Sequence, residues 1–315
     1  MSHAVLARIV RSGFVESVHH GTAVAVDPDG DVVVAAGSPQ APVFPRSSNK
    51  PLQAVAMARA GLPLDGHLLA LAAASHSGER YHLDGVRRIL ARGGLDESDL
   101  RNTPAYPLDA DEQVAWRAAG RPPTSLAQNC SGKHAAMLLT CVENGWPLED
   151  YLDARHPLQR AVAETIADLA GEPVAAVGVD GCGAPVHAVS TLGLAVAFGR
   201  LAAAGPDEPE GRVADAVRAH PEWLGGTGRD VTLLVRGIPG LVAKDGAEGV
   251  YAAALPDGRA AALKIADGGE RPRVPVLAAL LHRLGVEADV LDELSDVAVL
   301  GHGEPVGRLE VVGLG

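Results

Sequence analysis

The chain has 315 residues, 47% hydrophobic and 21% charged, enough apolar content for one large core or two closely packed lobes. Its 39 acidic against 27 basic residues give a net charge of −12, which argues against general binding to nucleic acid or an anionic membrane. No uninterrupted apolar run of about 18 residues suggests a membrane span, the opening MSHAVLARIVRSGFVES lacks a signal-peptide pattern, and three cysteines, an odd number, make no disulfide framework. A cytoplasmic, reducing setting is expected.

Residues 4–10 are expected to form a strand, and residues 21–26 and 32–36 a hairpin joined by the turn Asp27-Pro28-Asp29-Gly30. An apolar helix is expected over 51–60, ended by Gly61 and Pro63. A second apolar run, 67–74, delivers Ser75-His76-Ser77-Gly78-Glu79, and 79–90 is amphipathic. Residues 101–127, rich in proline, read as a long surface loop. Helices are expected over 135–143, 157–170 and 189–203, with a strand over 174–179 between them and a polar connection over 205–212. A meander over 240–243, 249–254 and 260–265, a helix over 274–284 and a strand over 308–312 complete the chain. With strands at both ends and helices between, the expected class is α/β (α+β): one antiparallel sheet built from both chain ends and backed by a helical lobe.

Four short stretches carry chemistry, each where an element begins or ends. In Arg46-Ser47-Ser48-Asn49-Lys50-Pro51-Leu52-Gln53, Ser47 and Lys50 are three residues apart and share a helical face, whereas Ser48 points elsewhere. A hydroxyl beside a lysine that can lose its proton is a nucleophile beside its base; the plainer alternative is a serine cap followed by a solvated lysine. The lysine count favours the chemistry, because only Lys50, Lys133, Lys244 and Lys264 stand against 23 arginines. Arginine stays protonated, whereas a buried lysine can be tuned to act as a base. Ser75-His76-Ser77-Gly78-Glu79 reads either as another helix cap or as a second hydroxyl awaiting a base. Cys130-x-x-Lys133, with Cys182 far downstream, offers two thiols and an amine to a zinc ion, or two buried small hydrophobes. Lys264 stands between Leu263 and Ile265, on the opposite face of its strand, while Lys244-Asp245-Gly246 reads as an exposed turn.

Taken together and in order, Ser-x-x-Lys-Pro-x-Gln, Ser-His-Ser-Gly-Glu, Asn-Cys-Ser-Gly-Lys-His, Asp-Gly-Cys and Lys-Ile-x-Asp-Gly resemble the asparaginase II family, the Rhizobium-type or class 3 L-asparaginases. The resemblance implies one catalytic domain over 1–315, with a fold like serine β-lactamases and penicillin-binding proteins, that hydrolyses L-asparagine to L-aspartate and ammonia. It implies two Ser–Lys dyads, Ser47 with Lys50 and Ser75 with Lys264. It further implies zinc on Cys130, Lys133 and Cys182, a substrate pocket lined by Arg46, His134 and Asp180, and a homodimer. A β-lactamase or peptidase on the same fold is the alternative, as is a non-catalytic binding protein. The first would need a Lys-Thr-Gly strand, which the sequence lacks; Lys264-Ile265-Ala266 is taken to stand in its place.

Overall fold

The computed structural model describes residues 2–314. Its strands are β1 (Ala4–Arg11), β2 (Phe14–Val26), β3 (Val32–Ala36), β4 (Pro42–Val43), β5 (Ala176–Val179), β6 (Pro185–Ser190), β7 (Val242–Gly246), β8 (Val250–Ala254), β9 (Ala260–Ile265), β10 (Ala298–Gly301) and β11 (Glu304–Val311). The main sheet is antiparallel in the order β10-β11-β1-β2-β9-β8-β7, with β3 on the far half of β2. It is therefore assembled from both chain ends, as the strand distribution led one to expect. A small sheet, β4-β6-β5, lies apart from it.

Turn chemistry explains the hairpins. Ser12 and Gly13 join β1 to β2 with φ of 48° and 82°, and His302 and Gly303 join β10 to β11 with 53° and 87°. Two positive φ values in a two-residue loop match the right-handed twist of the strands on either side. Strands β7, β8 and β9 are buried on both faces apart from Lys264, and β8 and β9 are rich in alanine. Small side chains let the helix Thr191–Ala203 pack very close: a Cβ on Gly199 would meet the Gly258 carbonyl oxygen at 2.5 Å. With few aromatics to fill volume, the core is held by such close approaches between Ala, Val and Leu.

The remaining helices form the lobe that faces the site. They include Lys50–Arg59, Gly66–Ala72, Arg80–Arg92, Ser131–Asn144, Pro157–Ala170 and Pro209–Ala219. Several differences from the sequence reading have local causes. The supposed loop over 101–127 contains a helix, Ala110–Ala118, whose Asp109 cap accepts from the N–H groups of Asp111 and Glu112. The segment 205–212, read as a polar connection, holds the start of a helix at Pro209, and another helix starts at Pro221, positions where a missing N–H costs nothing. The helix expected from 189 begins at Thr191, after β6. Strand β10 and the helix Asp289–Ser295 were not expected. No described helix is long and apolar enough to cross a membrane.

Candidate active site

Ser47 sits in a single 3-10 turn, Arg46–Asn49, that runs directly into the helix Lys50–Arg59. In such a turn residues i and i+3 eclipse, so Ser47 lies over Lys50. The turn is pinned from two sides. Ser48, fully buried, donates its hydroxyl to the Pro45 carbonyl at 2.7 Å. Gly246, the last residue of β7, lies so close that a Cβ there would meet Pro45 O at 2.6 Å and Ser48 N at 3.0 Å. Arg46 enters the turn at φ 53°, in the left-handed region. Such backbone costs of order 1–3 kcal/mol for a non-glycine residue and persists only where its surroundings hold it.

The second serine is delivered by the helix Gly66–Ala72. Its segment is fixed by backbone bonds from Ser75 N to Leu224 O (3.0 Å), His76 N to Asn129 O (3.1 Å) and Ser77 N to Gly225 O (2.8 Å). Lys50, 1% exposed, donates from Nζ to the Ala74 carbonyl at 2.6 Å and to Ser75 Oγ at 3.0 Å. Ser47 and Ser75 line one cavity of about 460 Å³, together with Asn129, Arg229, Asp245 and Arg273. The structure thus joins Lys50 to the second serine, and no side-chain hydrogen bond links it to Ser47 among the described residues.

The expected pairing of Ser75 with Lys264 is not found. Lys264 does point away from the face of Leu263 and Ile265, but its Nζ donates to Glu248 O at 2.6 Å and to Ile265 O at 2.5 Å. It lines a neighbouring cavity of about 450 Å³ with Phe44, Arg46 and Glu248. Burial lowers its pKa, against the pull of Glu248.

The strand packed against the serine turn carries Lys244, which the sequence reading set aside as an exposed turn. Lys244 is fully buried on β7, and its Nζ bonds Asp245 O at 2.8 Å and the Asp245 carboxylate. Burial brings it down to about 8, against the pull of Asp245. Burial alone would raise the pKa of Asp245, but Lys244, Arg229 and Arg273 outweigh it and hold this carboxylate well below the usual range. The strand against the serine turn therefore carries Lys244-Asp245-Gly246, where the sequence reading had placed Lys264-Ile265-Ala266.

Cys130, Lys133 and Cys182 also converge. All three are buried, and Lys133 Nζ lies 3.4 Å from Cys182 Sγ. The Cys130 Sγ–H donates to Asn129 Oδ1 at 3.3 Å. The neighbouring Cys130, and Lys133, bring Cys182 down to about 5 against its burial, and the Cys182 sulfur, then burial, push Cys130 up to about 12. Burial works against the Lys133 charge, but the two sulfurs raise its pKa on balance.

The three residues expected to line the substrate pocket are placed differently. Arg46 Nε and Asp180 Oδ1 pair at 2.8 Å, and Arg46 faces the Lys264 cavity. His134 is fully buried, its Nδ1 2.8 Å from the Tyr151 hydroxyl; burial, then Lys133, keeps it neutral.

The sequence decides the family: the family model for L-asparaginase II matches residues 7–311, nearly the whole chain. The chain belongs to the L-asparaginase II family. No curated protein matches it. Similar solved structures include Mglu in its native form, 16% identical with a TM-score of 0.48, covering 85% of this chain and 65% of that one. Mglu in its Tris and glutamate form is 17% identical with a TM-score of 0.45, covering 84% and 58%. A beta-lactamase from Mycobacterium bovis is 15% identical with a TM-score of 0.47, covering 87% and 95%. The asparaginase II chain thus spans less than two thirds of the Mglu chains it resembles.

In this asparaginase II chain, no group of three or more His, Cys, Asp or Glu side chains gathers around a metal position among the described residues. A metal reading rests on counting the Lys133 amine as a ligand. The donors fit that reading: a tetrahedral zinc with arms of about 2.3 Å to sulfur and 2.0 Å to nitrogen spans about 3.5 Å between them, close to the 3.4 Å from Lys133 Nζ to Cys182 Sγ. Arg229 and Arg273, like Lys244, were missed by sequence reading. Arg229 caps the start of the helix Asp230–Gly237, and nothing in its neighbours marks it.

Proposed function

We propose that this member of the amidohydrolase family hydrolyses the side-chain amide of L-asparagine through a covalent serine intermediate. The observation that carries the reading is the buried Lys50–Ser75 hydrogen bond at the wall of a cavity that Ser47 also lines. Ser47 attacks the amide carbon, and its proton passes through the Ser75 hydroxyl to a neutral Lys50. The proton then returns from Lys50 to the leaving nitrogen, so that ammonia departs and an ester remains on Ser47. Water, deprotonated by the same Lys50, attacks the ester; aspartate is released as the proton returns from Lys50 through the Ser75 hydroxyl to Ser47 Oγ. Lys50 must be neutral to accept the proton in either step.

Cys130, Lys133 and Cys182 would hold a zinc ion as two thiolates and a neutral amine, a set that balances the charge of the ion. The bond to Lys50 also favours a second reading, in which Ser75 itself forms the ester and Ser47 assists.

Ammonia release from L-asparagine, with glutamine and a β-lactam as controls, tests the activity. Mass spectrometry of the acyl-enzyme separates the serines: a mass increment on the Ser47 peptide supports the first reading, and one on the Ser75 peptide the second. No ammonia from asparagine would overturn both.

A further inference from the structure

Resting on the hydrolase reading, we infer that Arg229 is the specificity residue of the serine cavity and binds the α-carboxylate of the amide substrate. The site then takes amides that carry a free carboxylate next to the reacting chain. Arg46, which the family resemblance implied would line the substrate pocket, is engaged with Asp180 and faces the other cavity.

Two arginines line the serine cavity, and they differ in what they have left to offer. Arg273 is spent on structure: Nη1 donates to Gly246 O at 3.1 Å, Nη2 to Asp230 at 3.1 Å, and only 9% of its side chain is exposed. Arg229 is anchored at one nitrogen only, Nη2 to Asp245 at 2.9 Å, and 22% of its side chain is exposed. Lys50 and Lys244 lie behind the wall, with exposures of 1% and 0%. Of the two arginines Arg229 is the more exposed, and its Nη1 is buried without a hydrogen-bond partner, where Arg273 leaves only its Nε; a planar guanidinium suits a carboxylate.

The chain also fixes where that cation stands relative to the serines. The backbone of Ser75 and Ser77 bonds Leu224 and Gly225. Two residues further on, Glu79 accepts from Thr227 N at 2.7 Å and Thr227 Oγ1 at 2.8 Å. Between them Gly226, at φ 137°, leaves no room for a Cβ against Ser77. The segment bearing Ser75 and the segment bearing Arg229 are thus strapped together, so substrate held at one end by Arg229 is presented to the hydroxyls at the other.

Three amides separate this role from a structural one: L-asparagine, succinamic acid, which lacks the α-ammonium, and β-alaninamide, which lacks the α-carboxylate. The wild type should prefer asparagine to β-alaninamide by about 100-fold or more in kcat/KM. In Arg229→Gln, asparagine and succinamic acid should fall together by about 100-fold, mainly through KM, while β-alaninamide is unchanged, so the discrimination collapses. Arg229→Lys, which keeps the charge beside Asp245, should fold and retain a partial preference. If β-alaninamide falls in step with asparagine, or if the preference survives in Arg229→Gln and Arg229→Lys, the assignment is overturned and the hydrolase reading stands. A wild type that turns over none of the three overturns both.

Discussion

Lys50 reaches past its own turn and gives its hydrogen bond to Ser75, at 3.0 Å, rather than to Ser47. The base and the two hydroxyls therefore act as a unit, and removals should be strongly non-additive. Ser47→Ala is expected to lose about 10³-fold or more in kcat. Ser75→Ala, with the relay cut, should lose about 10²–10⁴-fold, the range of a lost proton-transfer group. The double variant should be little worse than Ser47→Ala alone. Lys264→Ala, outside this cavity, should keep most of the activity. Steady-state ammonia release from the four variants checks the set; a Lys264→Ala variant as dead as Ser75→Ala would restore the pairing expected from sequence.

Gly246 sets how closely β7 approaches the catalytic turn. In Gly246→Ala the new Cβ meets the Pro45 carbonyl at 2.6 Å and the Ser48 amide at 3.0 Å, both of them backbone that cannot rotate away. The strand or the turn must shift. Overpacking of this kind costs about 1–3 kcal/mol, and a displacement of about 1 Å at a catalytic group costs on the order of 10² in rate. The variant should melt a few degrees lower and lose about 100-fold in kcat/KM. Unchanged activity would mean that the contact between Gly246 and the turn does not position Ser47.

The Cys130–Lys133–Cys182 group is expected to bind one zinc ion per chain. Binding must displace protons, because Cys130 is pushed up to about 12 and Lys133 is also raised. Zinc affinity measured by calorimetry should therefore rise with pH from 6 to 8, with protons released to the buffer. Cys182→Ala, which removes the thiolate, should abolish binding, and removal of zinc by a chelator should lower activity. A wild type that takes up no zinc at any of these pH values would rule the site out.

How much of this was legible in the sequence depended on whether the deciding contact was local. The Ser47–Lys50 spacing and the sheet from both chain ends follow from local spacing or element order, whereas Cys182, 49 residues beyond Lys133, was joined to Cys130 and Lys133 by the family resemblance. Lys244 was misread because Asp-Gly is a turn signal, whereas here the glycine serves a close approach to Pro45 and the aspartate neutralises its own neighbour. Lys264 was read on the correct face of β9, but which cavity that face lines is a tertiary fact. Arg229 came to the site only because Glu79, about 150 residues earlier in the chain, holds Thr227.

The lobe that positions Ser75 is also where acid should act first. Burial holds His82 at about 4 even though the Glu222 carbonyl accepts its hydrogen bond, and burial, then Lys133, holds His187 at about 4. His76, stacked on His82 with ring centroids 5.1 Å apart, is also lowered, by burial first and then by His82 and Lys50. Unfolded, each histidine binds its proton near pH 6.5. Between 6.5 and about 4 the unfolded chain therefore carries more protons than the native one, so stability rises with pH across that window. The contribution is fully present above about 6.5 and is lost as pH falls toward 4. A depression of this size corresponds to roughly 3 kcal/mol per residue, so two such residues rival the whole stability of a typical domain, about 5–15 kcal/mol. Urea midpoints should be nearly level from pH 7.5 to 6.5 and drop steeply by pH 5. In His82→Gln, which has no proton to gain, the slope of that drop should be shallower. A midpoint that stays level down to pH 5 would show that these histidines titrate normally in the folded chain.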